Sequence, residues 1–143
     1  MDFSLVLPCY NEEKNIRKLF EEFISIPLEN YKVELILVDN GSNDKTGFEI
    51  DNVKSENELK KNHILIKKIK LEKNEGYGGG ILKGLLSSSG KFIGWAHADL
   101  QTPLIDFFRL FKKIENKSRI FGKGFRINNR GYDGIVSRFH EIL

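Results

Sequence analysis

The chain has 143 residues, of which 40% are hydrophobic and 30% are charged, and its formal net charge is +3. This length suits one domain with a sizeable core, and so mild a charge does not indicate nucleic-acid binding. The single cysteine, Cys9, excludes an internal disulfide, and no apolar run approaches the roughly 20 residues of a membrane span. We therefore expect a cytoplasmic globular protein without a signal peptide, in which Cys9 is a small buried residue.

The first half of the chain alternates short apolar runs with helical patterns. In chain order it predicts a strand at 3–7, a helix at 16–24 ended by Pro27, a strand at 33–38, a helix at 46–62 and a strand at 64–71. The second strand is nearly continuous in apolar residues, as a parallel strand covered on both faces should be. The third alternates apolar and basic residues, which is typical of an edge strand or of a strand with one solvated face.

A glycine-rich segment, Gly76–Gly80, precedes a helical pattern at 81–86. Such a turn before a helix lets backbone amides approach an anion, although close backbone packing explains the same glycines. The segment is not a dinucleotide-binding fingerprint, because Ile81 stands where that pattern needs glycine. It also lacks the Gly-Lys-Ser/Thr ending of a P-loop.

Polar side chains follow the fourth predicted strand, 91–96. His97, Asp99 and Gln101 lie between this strand and a helix that Pro103 opens. Ligands of open α/β sheets bind at the carboxyl ends of the strands, where a carboxylate can hold a divalent cation that in turn holds phosphates. The alternative is that His97 and Asp99 only cap the helix.

The last part of the chain predicts a helix at 104–116, a strand at 119–126 and a final helix at 131–143. The final helix has an apolar face made of Ile135, Val136, Phe139 and Ile142. We expect this face to be covered by a second copy, which gives a homodimer, or by a partner chain. Basic residues outnumber acidic ones between 109 and 138, which favours phosphates or an anionic membrane surface.

Strands and helices alternate along the whole chain. This order predicts an α/β fold with three layers, α/β/α, around a mostly parallel central sheet.

Four polar segments at strand ends resemble, in order, the motifs of one family. They are 7–12, 38–46, Asn74 with 76–84, and 98–103. In these segments the chain resembles the inverting nucleotide-diphosphosugar glycosyltransferases of the GT-A fold, of the family 2 type. The polyprenyl- and dolichyl-phosphate sugar transferases are the most similar subgroup. The resemblance extends over residues 3 to 126 and implies a Rossmann-like half that binds a nucleotide sugar.

The resemblance implies donor-binding residues in several of these loops and in one basic segment. They are Pro8, Tyr10, Asn11, Glu12, Asp39, Ser42, Asn74, Gly76, Lys123 and Arg126. In such enzymes Asp39 would contact the nucleobase, while Ser42 and Asp44 would shape its loop. Residues 80–84 would pack near the nucleotide and sugar, and the two basic residues would lie near phosphate.

The resemblance also implies that Asp99 binds Mg²⁺ or Mn²⁺ across the diphosphate, with Gln101 beside the sugar as the second catalytic residue. The family usually has aspartate where this chain has His97. A neutral imidazole can be a second metal ligand and suits Mn²⁺ better than Mg²⁺. Alternatively, His97 only orients Asp99 or the sugar.

The resemblance therefore implies a hexosyltransferase-like enzyme that passes a sugar from a UDP- or GDP-sugar to an acceptor such as polyprenyl phosphate, at the membrane periphery. Residues 1–103 would bind the nucleotide sugar and 104–143 would begin the acceptor side of one domain. Enzymes of this family usually continue further and often place the general base in that later part. Two alternatives remain: a non-catalytic nucleotide-sugar-binding module that needs a partner chain, and an α/β domain in which the loops are structural.

Overall fold

The computed structural model describes residues 1–60, 64–117 and 119–123. These residues form four strands and four helices that alternate in sequence. In chain order they are β1 (Phe3–Cys9), α1 (Ile16–Ile24), β2 (Val33–Asn40), α2 (Thr46–Leu59), β3 (Ile64–Leu71), α3 (Gly76–Leu86), β4 (Phe92–Trp95) and α4 (Leu104–Ile114). The eight elements predicted before residue 117 are all confirmed.

The strands form one parallel sheet in the order β3-β2-β1-β4. Phe3 is opposite Val33 on one side and Phe92 on the other. β1 and β2 are buried along their whole length, because both are internal strands with helices over their faces. β3 is an edge strand among the described residues, as its alternation of apolar and basic residues predicted. The α/β class and the parallel sheet are thus confirmed.

Helices cover both faces of the sheet. Successive side chains of a strand point to opposite faces. Val38 and Asp39 are consecutive residues of β2, so their side chains point to opposite faces. A Cβ on Gly84 of α3 would lie 3.1 Å from the Val38 side chain, and a Cβ on Gly47 of α2 would lie 2.7 Å from the Asp39 side chain. α3 and α2 therefore lie on opposite faces of β2, which gives the three-layer arrangement.

Helix α3 begins earlier than the sequence predicted. It starts at Gly76 rather than after Gly80, so the glycines lie within the helix and not in a turn before it. The reason is tertiary contact: Asn40 at the end of β2 holds Glu75 N and Gly76 O, and a Cβ at Gly80 would lie 3.0 Å from the Pro8 side chain. Close approach to the sheet outweighs the low helix propensity of glycine. Gly76 itself has φ +76°, a conformation that glycine adopts without strain.

The chain divides after Leu104 into two units, 1–104 and 105–143. The first contains the sheet and helices α1 to α3. In the second, residues 119–123 form no strand, so the strand predicted at 119–126 is wrong for its described part. Arg126 and the predicted helix at 131–143 lie outside the described residues. Within the described ranges, no helix is long and apolar enough to cross a membrane.

Candidate functional site

The candidate site lies at the carboxyl edge of the sheet. In a parallel sheet the carboxyl ends of neighbouring strands meet at the same edge. β1 ends at Cys9, β2 at Asn40 and β4 at Trp95, and each is followed by polar residues. Three of the polar segments singled out in the sequence therefore start from this edge.

The loops after β1 and β2 hold each other through hydrogen bonds. The backbone N–H of Asn11 donates to Ser42 Oγ over 3.1 Å, and Asn43 N donates to Asn11 Oδ1 over 2.9 Å. Glu12 N donates to Thr46 Oγ1 over 2.7 Å. Asn11 adopts φ +57°, a conformation that asparagine tolerates better than most residues. In this structure Asn11 and Ser42 stabilise the loops.

Asp44 closes the same pair of loops. Its Oδ1 accepts hydrogen bonds from Thr46 N and Thr46 Oγ1, and its Oδ2 accepts one from Glu13 N. Burial would raise the pKa of this carboxyl, but the hydrogen bonds from Thr46 and Glu13 outweigh burial and lower it. Asp44 is therefore a charged anchor of the loop after β2.

Asp39 and Pro8 are buried near the strand ends, and Tyr10 is 43% exposed. Asp39 Oδ1 accepts a hydrogen bond from Ser42 N over 3.0 Å, and the residue is only 3% exposed. The Sγ of Cys9 donates to Leu7 O, and burial raises the pKa of this thiol far above its usual value. Cys9 is thus a buried structural residue, as the sequence predicted.

Asn40 connects β2 to the start of α3, a role that the sequence analysis missed. Its Nδ2 donates to Gly76 O over 2.9 Å and to Asn74 Oδ1 over 3.2 Å, and its Oδ1 accepts from Glu75 N over 3.0 Å. Asn74 Oδ1 also accepts from Gly76 N. The amide of Asn40 thereby fixes Asn74 and Gly76, two predicted site residues, beside β2. An asparagine directly after Asp39 was the only sequence signal.

Asp99 does not cap helix α4. Its Oδ1 accepts a hydrogen bond from Gln101 N over 3.0 Å, which closes a turn in the loop before the helix. The N–H of Leu104, the first residue of α4, donates instead to Glu22 Oε1 over 2.6 Å. Leu100, between Asp99 and Gln101, has φ +61°. The capping alternative is therefore wrong for Asp99.

Tyr77 and His97 form a stacked pair at this edge. Their ring centroids are 4.8 Å apart with an interplanar angle of 6°, and Tyr77 Oη lies 3.3 Å from His97 Nε2. Burial and the negative charge of Asp99 both raise the pKa of Tyr77. The pair connects the first turn of α3 to the segment after β4. Tyr77 was not among the predicted site residues, because only the fold brings it to His97.

The predicted metal site has one carboxylate with coordinating capacity. Among the described residues, no group of three or more His, Cys, Asp or Glu could hold an ion. Asp99 is the carboxylate of the segment after β4, whereas His97 Nε2 faces Tyr77. Magnesium is commonly bound by one or two carboxylates together with substrate phosphates. The donor set therefore fits a cation shared with a diphosphate, and does not fit an ion held by protein groups alone.

The sequence predicted two basic residues, Lys123 and Arg126, near phosphate. Lys123 belongs to the second unit, and Arg126 lies outside the described residues. Their contact with phosphate stays a prediction.

A second polar cluster lies at the opposite, amino edge of the sheet. Glu34, which is fully buried, accepts hydrogen bonds from Ser4 Oγ, Ser89 N and Ser89 Oγ at 2.6, 2.9 and 3.0 Å and pairs with Lys67. Ser4 Oγ accepts in turn from Gly90 N. Burial would raise the pKa of Glu34, but these partners, led by Lys67, lower it to about 2. The sequence analysis missed this cluster.

The sequence matches the profile of the family described as "Glycosyl transferase family 2" over residues 4–139. It is 34% identical over 120 residues to the undecaprenyl-phosphate 4-deoxy-4-formamido-L-arabinose transferase of Photorhabdus laumondii, covering 83% of this chain and 35% of that protein.

Solved structures have a similar fold. TarS of S. aureus in complex with UDP-GlcNAc has a TM-score of 0.59 and 26% identity, over 79% of this chain and 32% of that one. A mannosyltransferase of Pyrobaculum calidifontis in complex with GDP-Man and Mn²⁺ has a TM-score of 0.71 and 18% identity, over 84% of this chain and 34% of that one. The chain spans 35 to 49% of the length of the curated relatives that it matches.

Proposed function

The chain belongs to glycosyl transferase family 2, and from this premise we propose that its carboxyl edge binds a nucleoside-diphosphate sugar for transfer to a polyprenyl phosphate. The bound donor would be a UDP- or GDP-sugar. The acceptor class is suggested by the name of the 34% identical relative, an undecaprenyl-phosphate transferase. The donor class is supported by TarS, whose structure contains UDP-GlcNAc.

One observation carries the proposal: Asp99 stands at the carboxyl edge without serving as the cap of α4. Its Oδ1 closes a turn with Gln101 N, and Glu22 takes the helix N–H instead. A carboxylate in an exposed loop has no structural need of that charge, since asparagine could accept the same hydrogen bond. Its negative charge is therefore available for a cation that accompanies a diphosphate.

The chemistry of transfer explains why such a cation would be useful. Breaking the bond between sugar and diphosphate leaves negative charge on a phosphate oxygen, and a divalent cation would stabilise that charge when bound. Asp99 would hold it together with the donor phosphates. Both Mg²⁺ and Mn²⁺ accept oxygen ligands, so this arrangement suits either ion.

The other predicted residues have supporting positions. Asp39 is buried at the end of β2, where it would meet the nucleobase, and Tyr10 is exposed at the end of β1. Asn11, Ser42 and Asp44 would preserve the shape of the nucleotide pocket through their loop contacts. Gln101 is exposed beside Asp99, near the expected sugar.

The test is binding of UDP and GDP, measured by calorimetry with Mg²⁺, Mn²⁺ or a chelator. A nucleotide present at about 100 times its Kd should add roughly 2.7 kcal/mol to the free energy of unfolding. Asp99→Asn keeps an oxygen for the Gln101 N–H, so it should change the free energy of unfolding by less than about 0.5 kcal/mol. It should abolish the metal-dependent part of nucleotide binding.

Asp51→Asn is the matched control. Asp51 is an exposed acid on α2 that pairs with Lys68 over 2.6 Å, a surface contact of small energetic value. This variant should bind nucleotide with the metal dependence of the wild type. If neither nucleotide binds, the donor-site proposal is wrong. If Asp99→Asn keeps the full metal dependence, Asp99 does not hold the cation. Nucleotide binding without transfer would favour the module that needs a partner chain.

A further inference from the structure

Gly47, the second residue of α2, leaves space for the carboxylate of Asp39. A Cβ at this position would lie 2.7 Å from Asp39 Oδ2, closer than real Cβ atoms approach other atoms. Gly47 has a negative φ, as residues of an α-helix do, so its backbone conformation does not require glycine. Alanine would also favour the helix more. The lack of a side chain here is therefore explained by the contact with Asp39.

The backbones on both sides of this contact are held in place. Asp39 lies in an internal strand, which pairs with β1 on one side and with β3 on the other. The start of α2 is held by Thr46, whose Oγ1 accepts from Glu12 N over 2.7 Å, and by Lys68, whose Nζ donates to Gly47 O over 2.7 Å. A methyl group at position 47 would therefore displace the side chain of Asp39.

The displacement would change the orientation of the whole carboxylate. Its two oxygens share one plane, so a rotation that moves Oδ2 away from α2 also moves Oδ1, which accepts from Ser42 N over 3.0 Å. Hydrogen bonds weaken steeply when donor and acceptor are misaligned. The space at Gly47 therefore determines the direction in which Asp39 can accept a hydrogen bond.

We infer that Gly47 is a positioning residue of the donor site, which keeps the Asp39 carboxylate in the orientation that accepts from the nucleobase. The inference rests on the proposed function, in which Asp39 meets the nucleobase. The ring N–H groups of uracil and guanine lie in the plane of the base, so the direction of the acceptor matters. The diphosphate would instead meet the cation at Asp99. Gly47 should therefore affect binding of the base and leave binding of the phosphates unchanged.

The orientation of Asp39 can be measured without any nucleotide. The amide of Ser42 reports it, because its N–H donates to Asp39 Oδ1. In Gly47→Ala the Ser42 amide proton should shift upfield and exchange with solvent about tenfold faster, the factor that one hydrogen bond to a charged group commonly represents. Ser55→Ala, at an exposed position of α2, is the control and should leave this amide unchanged. A Ser42 amide that Gly47→Ala does not alter would overturn the inference.

Removal of the carboxylate should reverse the effect of the methyl group on stability. In the wild type, Gly47→Ala should lower the midpoint of urea unfolding, because the methyl group meets Asp39. In an Asp39→Ala background the same substitution should raise the midpoint, because alanine favours the helix and the space is empty. Equal changes in both backgrounds would contradict the inference. If Asp39→Ala does not fold, the Ser42 amide in Gly47→Ala decides the same question.

Nucleotide and pyrophosphate binding separate a positioning role from a general loss of structure. With Mn²⁺ present, Gly47→Ala should raise the Kd of UDP or GDP, whichever the wild type binds, about tenfold. The Kd of inorganic pyrophosphate with Mn²⁺ should stay that of the wild type. An equal loss of affinity for pyrophosphate would mean that Gly47 supports the fold of the site and does not position Asp39.

The two proposals fail separately. Wild-type protein that binds neither UDP nor GDP refutes the donor site and, with it, this role of Gly47. Wild-type protein that binds nucleotide, together with a Gly47→Ala variant that binds it equally well, refutes only the role of Gly47.

Discussion

Each of the two edges of the sheet contains a carboxylate, but the two carboxylates have different surroundings. At the amino edge, Glu34 is fully buried and its two oxygens accept three hydrogen bonds and an ion pair. At the carboxyl edge, Asp99 is partly exposed and its recorded hydrogen bond is one contact with Gln101 N. The partners of the Glu34 carboxylate belong to the fold, whereas the Asp99 carboxylate can still bind a ligand.

This difference distinguishes a structural carboxylate from a candidate ligand better than residue type does. A buried charge must be paired, because desolvation without partners is costly. An exposed carboxylate with few partners costs little to maintain and can meet a cation. The consequence is that substitutions at the amino edge should affect stability, and those at the carboxyl edge should affect binding.

Replacement of Glu34 should have the largest effect on stability. Glu34→Ala removes the acceptor of Ser4, Ser89 and Lys67 and leaves buried donors without a partner. We expect the free energy of unfolding to fall by about 4 kcal/mol, measured by urea denaturation. Glu34→Gln, which keeps one acceptor oxygen, should lose less. If Glu34→Ala unfolds at the urea concentration of the wild type, the cluster does not stabilise the fold.

The pH dependence of stability should report the same carboxylate. The pKa of Glu34 falls from its ordinary value of 4.5 to about 2 in the folded protein. A depressed folded-state pKa gives stability that is complete above pH 4.5 and is lost as the pH falls towards 2. The loss should be about 3 kcal/mol. The difference in stability between wild type and Glu34→Gln should shrink across this window; a constant difference would contradict the assignment.

The same serine substitution can be made at both edges. Ser4→Ala removes a buried hydroxyl that donates to Glu34 and accepts from Gly90 N, and should cost about 2 kcal/mol. Ser42→Ala removes an exposed acceptor of Asn11 N and should cost about 0.5 kcal/mol. Thermal unfolding of both variants gives the comparison. Equal losses would mean that the two edges do not differ as described.

The sequence was informative about elements and less so about contacts. Apolar runs bounded by polar loops predicted the four strands, because a parallel strand must bury both faces. Because β2 was interpreted as an apolar strand, the sequence analysis gave no role to Glu34, the charged residue within it. Its partners Lys67 and Ser89 are far away in sequence and come near only through the strand order. Tyr77 was not predicted as a site residue, because it meets His97 only through the fold.

Two errors have local causes. The start of α3 was predicted too late because glycine has a low helix propensity, whereas contacts of Asn40 with Glu75 and Gly76 hold the first turn in place. The alternating pattern at 119–123 resembles a strand, but a strand exists only as part of a sheet, and the described sheet consists of β3, β2, β1 and β4. Polar motifs at strand ends, in contrast, correctly indicated segments that begin at the carboxyl edge of the sheet; a donor site at this edge stays a prediction.

The strand order has a consequence for the time course of folding. β1 precedes the other strands in the chain, but one of its two partners in the sheet is β4. The pairing of Phe3 with Phe92 can therefore form only after β4 has been synthesised. β1, β2 and β3 can pair earlier, whereas closing the long loop to β4 is entropically slow. β4 has only four residues and its neighbour in the described sheet is β1 alone. Among the loops that follow the strands of this sheet, the one with His97 and Asp99 should therefore form last during synthesis and detach first under mild denaturation.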